Sequence, residues 1–158
     1  MKSILMVCLG NICRSPLAEG ILKDKCKQHG ISVKVDSAGT SNFHVGEMPD
    51  KRSMENALMH NIDISALRGR QFKVKDFDVF DMIYVMDESN YQNVIALARN
   101  QNDIDKVDYI LNQIQPNINA SVPDPYYGGE HGFENVFQLL NKSCNAIVEK
   151  LLSNTNQQ

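Results

Sequence analysis

A chain of 158 residues, 42% hydrophobic and 22% charged, has the size and composition of one globular domain around one core. With a net charge of −3 and no basic stripe it does not read as a nucleic-acid binder, and no apolar run approaches the ~20 residues that cross a bilayer. Met1-Lys2-Ser3 leads straight into a short apolar segment without a small-residue cleavage site, so the expected location is the cytoplasm, where Cys8, Cys13, Cys26 and Cys144 stay reduced.

Residues 2–8 read as a strand, and the unbroken run Ile4-Leu5-Met6-Val7 predicts burial on both faces. A helix is expected from Pro16 to about His29, with Ser15 as its cap, Pro16 in its first turn and Gly30 as its stop. Glu19 falls one place too late for a capping box, which leaves Ser15 free to bond a neighbour. Val33 and Val35 alternate with polar residues as a second strand ending near Ser37, and a loop runs on to Pro49. A helix from about Asp50 to His60 would turn Met54, Ala57 and Leu58 inward, with Asn61 as its stop. Met82 to Met86 is a third strand, followed by a helix capped by Ser89 or Asn90 that buries Val94, Ile95 and Ala98. Val107 to Ile110 is a weaker fourth strand in the Asn/Gln-rich, most irregular stretch 100–119. Phe133, Val136, Phe137, Leu140, Cys144, Ile147, Val148 and Leu151 recur at helical spacing, so the domain is expected to span 1–152 with a frayed polar tail at 153–158.

Alternating strands and helices predict an α/β domain of three layers, a parallel sheet covered on both faces. Ligands bind such sheets beyond the strand C-termini, where Cys8, Ser37 and Asp87 would meet. The most informative stretch is there: Cys8-Leu9-Gly10-Asn11-Ile12-Cys13-Arg14-Ser15-Pro16. It places a thiol at a strand end, a glycine-containing turn, an arginine and a helix start in sequence. Backbone N–H groups at a helix N-terminus attract an anion, and the same field with Arg14 nearby favours the nucleophilic thiolate. A bound oxyanion above an activated sulfur suggests phosphoryl transfer to cysteine. Asp124, between Pro123 and Pro125 and beside Tyr126 and Tyr127, is the candidate proton donor, and the tyrosines could wall a pocket for a flat ring. Asp76, Asp78 and Asp81 read as solvated turn residues, and His29, His44, His60 and His131, which lack ligand spacing, as structural or surface groups.

With these motifs, and with Asp36-Ser37-Ala38-Gly39-Thr40 and Met86-Asp87-Glu88-Ser89-Asn90 in the same order, the chain resembles the low-molecular-weight protein tyrosine phosphatases along nearly its whole length. The resemblance implies a Rossmann-like phosphotyrosine phosphatase fold around a four-stranded parallel sheet. It also implies that Cys8 attacks phosphorus, that Arg14 clamps two phosphate oxygens, and that N–H groups from Leu9, Gly10, Asn11, Ile12, Cys13, Arg14 and Ser15 hold the phosphate. Asp124 would then act as general acid and base, Ser15 would donate to the thiolate, and Asn11 would hold the loop with Ser37. Leu9, Ile12, Phe43, Tyr126 and Tyr127 would line the mouth, with Phe43 where one branch of the family has tryptophan. No metal or cofactor is implied, the partners are phosphotyrosine proteins, and a monomer or weak dimer is expected. Asp87 is expected to cap its helix or steady the loop. Cys13 is a candidate resolving thiol that would form a reversible disulfide with oxidised Cys8. Cys26 and Cys144 read as core.

Three rival readings differ in chemistry. An arsenate reductase of this fold needs further redox cysteines, and none lies between Met82 and Leu111. A protein arginine phosphatase resembles this chain but carries threonine where Ile12 stands and lacks the tyrosine pair. A silent phosphate-binding regulator would not need both Cys8 and Asp124.

Overall fold

Four parallel strands lie in the order β2-β1-β3-β4: β1 (Lys2–Cys8), β2 (Val33–Gly39), β3 (Met82–Val85) and β4 (Val107–Tyr109). The computed structural model describes residues 1–156. The central strand β1 is buried on both faces, as its unbroken apolar run predicts. Ile4, Met6 and Cys8 face one core and Leu5 and Val7 the other. The first core is closed by α1 (Arg14–Gln28) and α6 (Gly132–Asn156), the second by Phe72, Phe77 and Phe80 and by Val94 of α4 (Glu88–Ile95). This is the three-layer arrangement expected from the alternation of elements.

The parallel strands set their C-terminal ends along one edge, bringing together Cys8, the Ser37–Gly39 end of β2 and the β3–α4 turn at Asp87. The segment after residue 69 adds to this edge: Gly39 N donates to Arg70 O (2.8 Å) and Phe72 N to Gly39 O (2.7 Å). It carries Arg70 to the active-site side of the sheet.

Several elements differ from their sequence-based outlines. Helix α1 begins at Arg14, so its cap is Cys13, which makes no side-chain cap bond, and Ser15 and Pro16 lie inside the first turn. Strand β2 runs two residues past Ser37. Helix α2 (Lys51–Met59) is capped by Asp50, but Leu58 is 58% exposed. Ala57 is buried and Met54 packs partly buried against the core, as expected, and the other buried residues of the helix, Ser53 and Asn56, are polar. Ser53 Oγ donates to Cys13 O (3.3 Å) and Asn56 Nδ2 to Glu134 Oε1 (2.9 Å), so partnered polar groups complete the docking in place of Leu58. Neither Ser89 nor Asn90 caps α4; the cap is Asp87, in the capping role also expected of it, with Asn90 returning the bond as a capping box.

Two short helices, α3 (Asp76–Val79) and α5 (Gln101–Asp105), occupy stretches read as irregular. Asp76 is buried and accepts from Arg70 on both carboxylate oxygens, at 3.1 Å each, so it is no solvated turn residue. Residues 153–156 of the expected tail continue α6, and 157–158 lie outside the described residues. Among the described residues, no helix is long and apolar enough to cross a membrane.

Candidate active site

The loop from Cys8 to Arg14 turns its carbonyl groups outward. Thr40 N donates to Cys8 O (2.9 Å), Ser41 N to Leu9 O (2.9 Å) and Asp50 N to Ile12 O (2.7 Å), while Ser53 Oγ holds Cys13 O. The amide groups are left pointing inward. Among the described residues no protein acceptor takes the N–H groups of Leu9, Gly10, Ile12, Cys13, Arg14 and Ser15, and that of Asn11 donates to Cys8 Sγ (3.3 Å). Such a ring of donors at the start of a helix is an anion site. It also explains the bare cap of α1, since an anion in the loop can satisfy the first-turn donors that a capping side chain would otherwise take.

Asn11 adopts the left-handed region (φ 58°), which a short polar side chain tolerates when its own bonds secure it. Its Oδ1 accepts from Arg70 N (3.0 Å), and its Nδ2 donates to Ser15 Oγ (2.8 Å) and Ser37 Oγ (2.9 Å). Gly39 allows the loop to lie against β2, because a Cβ there would sit 2.7 Å from Leu9 O.

Hydrogen accounting assigns the direction of the remaining bonds. Ser37 Oγ receives from Asn11, so its proton goes to Glu19 Oε1 (2.6 Å). Ser15 Oγ also receives from Asn11, and its proton is directed at Cys8 Sγ (3.0 Å), with Ala38 O more distant at 3.5 Å. The Cys8 sulfur therefore faces two donors, one hydroxyl and one amide, an arrangement suited to a thiolate. Glu19, buried at 2% exposure and paired with Lys23, is a supporting residue that the sequence reading used only as a misplaced cap.

Arg14, 7% exposed, is oriented by Nη1 alone, which donates to Asp87 Oδ2 (2.8 Å) and Val122 O (3.0 Å). Its Nε and Nη2 have no protein acceptor among the described residues. Asp87 thus serves twice, capping α4 through Oδ1 and anchoring Arg14 through Oδ2. Val122 N donates to Met86 O (2.7 Å), which pins the acid segment to the end of β3 and sets Asp124 at the mouth of the loop. A cavity of about 110 Å³ lies between the loop, His44 and residues 124–126. A larger hollow of about 390 Å³, between Met1, Asp81 and Asn154 at the opposite edge of the sheet, has no thiol or arginine in its wall.

The family model described as low molecular weight phosphotyrosine protein phosphatase matches residues 3–157. The chain belongs to that family. It is 39% identical over 155 residues to the human low molecular weight phosphotyrosine protein phosphatase, a match covering 94% of this chain and 95% of the relative. A protein tyrosine phosphatase of Entamoeba histolytica superposes with a TM-score of 0.90 at 33% identity, covering 98% of this chain and 99% of that one. A Drosophila arginine phosphatase superposes with a TM-score of 0.86 at 30% identity, covering 95% and 97%.

Within this phosphatase frame the walls of the cavity differ in part from expectation. Leu9, Ile12 and Tyr126 line it, but Phe43 and Tyr127 do not. They are 78% and 90% exposed, Phe43 on the turn after β2 and Tyr127 at the end of the short 3-10 turn Pro125–Tyr127. His44, read from sequence as a bystander, lines the cavity and bonds Glu47. No local pattern flags it; the turn closes because Gly69 N donates to Glu47 O (2.9 Å) and Gly46 N to Gly69 O (2.8 Å), contacts between segments far apart in sequence.

Cys13 lines the same cavity, but its thiol is partnered. Its Sγ lies 2.9 Å from Tyr126 Oη, and burial pushes its pKa up to about 12 against the opposing bond from Tyr126. Cys26 and Cys144 are buried in the core, as read from their helix positions. Among the described residues no group of three His, Cys, Asp or Glu side chains is placed to hold a metal ion.

Proposed function

We propose that this chain hydrolyses phosphotyrosine in proteins through a cysteinyl-phosphate intermediate. One observation carries the reading. Cys8 Sγ lies between the donors of Ser15 and Asn11 at the floor of an amide-lined loop, and Asp124 stands across the same small cavity. A phosphate seated on the loop amides, with two oxygens on the free face of Arg14, presents phosphorus to the sulfur. The Cys8 thiolate forms the S–P bond as the P–O ester bond breaks, and Asp124 gives its proton to the departing phenolate. Asp124, now a carboxylate, takes a proton from water as that water attacks phosphorus. The S–P bond breaks and the thiolate returns.

Ile12 and the ring of Tyr126 give the mouth apolar walls suited to an aryl group. The structural likeness to an arginine phosphatase keeps phosphoarginine as the second reading. Rates on matched phosphotyrosine and phosphoarginine peptides separate the two. A kcat/KM at least about tenfold higher on phosphotyrosine is expected, since one well-made contact is worth about that factor. A preference for phosphoarginine would replace the reading.

Cys13 is proposed as the resolving thiol of the same site. With a hydroperoxide, the Cys8 thiolate takes the terminal oxygen as the O–O bond breaks and the alcohol (or water) leaves, giving a sulfenic acid. Cys13 then attacks that sulfur, forming the disulfide with loss of water. To do so it must leave Tyr126. Peroxide followed by dithiothreitol is expected to restore nearly full activity to the wild type but only a minor fraction to Cys13→Ser. Equal recovery in both would remove Cys13 from the redox cycle.

A further inference from the structure

We infer that Tyr126 is a positioning residue for Asp124, bolted to the phosphate loop by a chain of hydrogen bonds from Cys13 through Tyr126 to Asp50. The inference rests on the phosphatase reading and assigns a role to three residues beyond the wall of the cavity. Tyr126 Oη lies 2.9 Å from Cys13 Sγ and 3.0 Å from Asp50 Oδ2. The phenol has one proton for two neighbours. Burial opposes ionisation of Asp50, but hydrogen bonds from the side chain and backbone of Arg52 outweigh it, so its carboxyl sits below the usual range and only accepts. The Tyr126 proton therefore goes to Asp50, and the phenol oxygen accepts the S–H of Cys13, which the burial of that thiol keeps protonated.

The ring is fixed as firmly as the hydroxyl. The Arg52 guanidinium stands 4.7 Å from the Tyr126 centroid and 4.9 Å from that of Phe133, and the two rings meet edge to face at 6.0 Å. From this fixed residue the backbone N–H reaches back 3.0 Å to Asp124 Oδ1. Among the described residues 123–132, Tyr126 makes the only side-chain hydrogen bonds to the phosphate loop and to the α2 cap. The acid segment is thus tied at Val122 to β3 and at Tyr126 to the loop that holds the phosphate, with Asp124 between the two ties. Removing the second tie leaves the ring in place as a wall but lets the carboxyl drift from the leaving oxygen.

A wall and a positioning device respond differently to the leaving group. Phenyl phosphate needs its oxygen protonated as it departs, whereas p-nitrophenyl phosphate departs with little help. Tyr126→Phe keeps the ring and removes the hydroxyl. It is expected to lower kcat/KM, which reports the phosphoryl transfer to Cys8 and not the water step common to both substrates, by about tenfold on phenyl phosphate, the scale of a sub-ångström to ångström misplacement, and by less than twofold on p-nitrophenyl phosphate. Asp50→Ser, which retains a good helix cap but leaves no second oxygen for the Tyr126 hydroxyl, is expected to show the same selective loss, and the double variant no more than either alone. Equal losses on both substrates, or an undiminished rate on phenyl phosphate with both variants folded, would overturn the role. A wild-type protein inactive on both substrates would instead overturn the phosphatase reading beneath it.

Discussion

Cys8→Ser is expected to reduce turnover of any aryl phosphate by at least about 10⁴-fold, the scale on which removal of a covalent nucleophile acts. The substitution is small. Serine fits the end of β1, and Asn11 N and Ser15 Oγ still find an acceptor there. The change is in the acidity of the attacking group. Asn11 N and Ser15 Oγ are placed to donate to a thiolate, the nucleophilic form of a cysteine, but no such set of bonds ionises an alkyl hydroxyl to a useful extent. The inward N–H groups and the free face of Arg14 remain, so inorganic phosphate should bind Cys8→Ser within about threefold of wild type, less than one ordinary hydrogen bond. Steady-state rates with calorimetric phosphate binding check both halves. More than 1% residual turnover would exclude sulfur as the nucleophile, and lost phosphate binding would show that the loop had collapsed.

The parts of this site that were legible from sequence are those encoded locally. Ile4-Leu5-Met6-Val7 announces a strand buried on both faces, and a thiol, a turn and an arginine follow it without interruption. The parts that escaped depend on partners distant in sequence. Asp76 is held by Arg70, and its burial follows from the docking of the 70–72 segment on β2. The polar part of the buried face of α2, Ser53 and Asn56, is bonded to Cys13 O and Glu134, 40 and 78 residues away. An apolar pattern carries no trace of such partners. The start of α1 was misplaced for a physical reason of its own. Capping rules presume that a side chain satisfies the first-turn N–H groups, and a helix whose N-terminus is an anion site withholds that side chain. Glu19 alone offered a signal, a carboxylate inside the apolar stretch Leu17-Ala18-Glu19-Gly20-Ile21-Leu22, where a charge needs a buried partner.

Asp124→Ala is the complementary experiment, with an expected loss of about 10²- to 10⁴-fold on phenyl phosphate, the usual contribution of a positioned acid or base. Its signature differs from that of Cys8→Ser because the sulfur is intact. With p-nitrophenyl phosphate the variant should still form the cysteinyl-phosphate. Water attack, which relies on the same carboxylate as base, then becomes the slow step. A rapid burst of p-nitrophenolate equal to the enzyme concentration, followed by slow turnover, is the expected trace. A wild-type rate on phenyl phosphate would remove Asp124 from the mechanism. Among the described residues the side chain bonds only to the amide of Tyr126, so its removal should cost little stability, about 1 kcal/mol for one exposed turn bond. Tyr126→Phe should then reproduce the leaving-group preference of Asp124→Ala in kcat/KM on a smaller scale. Its carboxyl is displaced but still present, for the leaving oxygen as for the attacking water, and comparing the two separates the presence of the carboxyl from its placement.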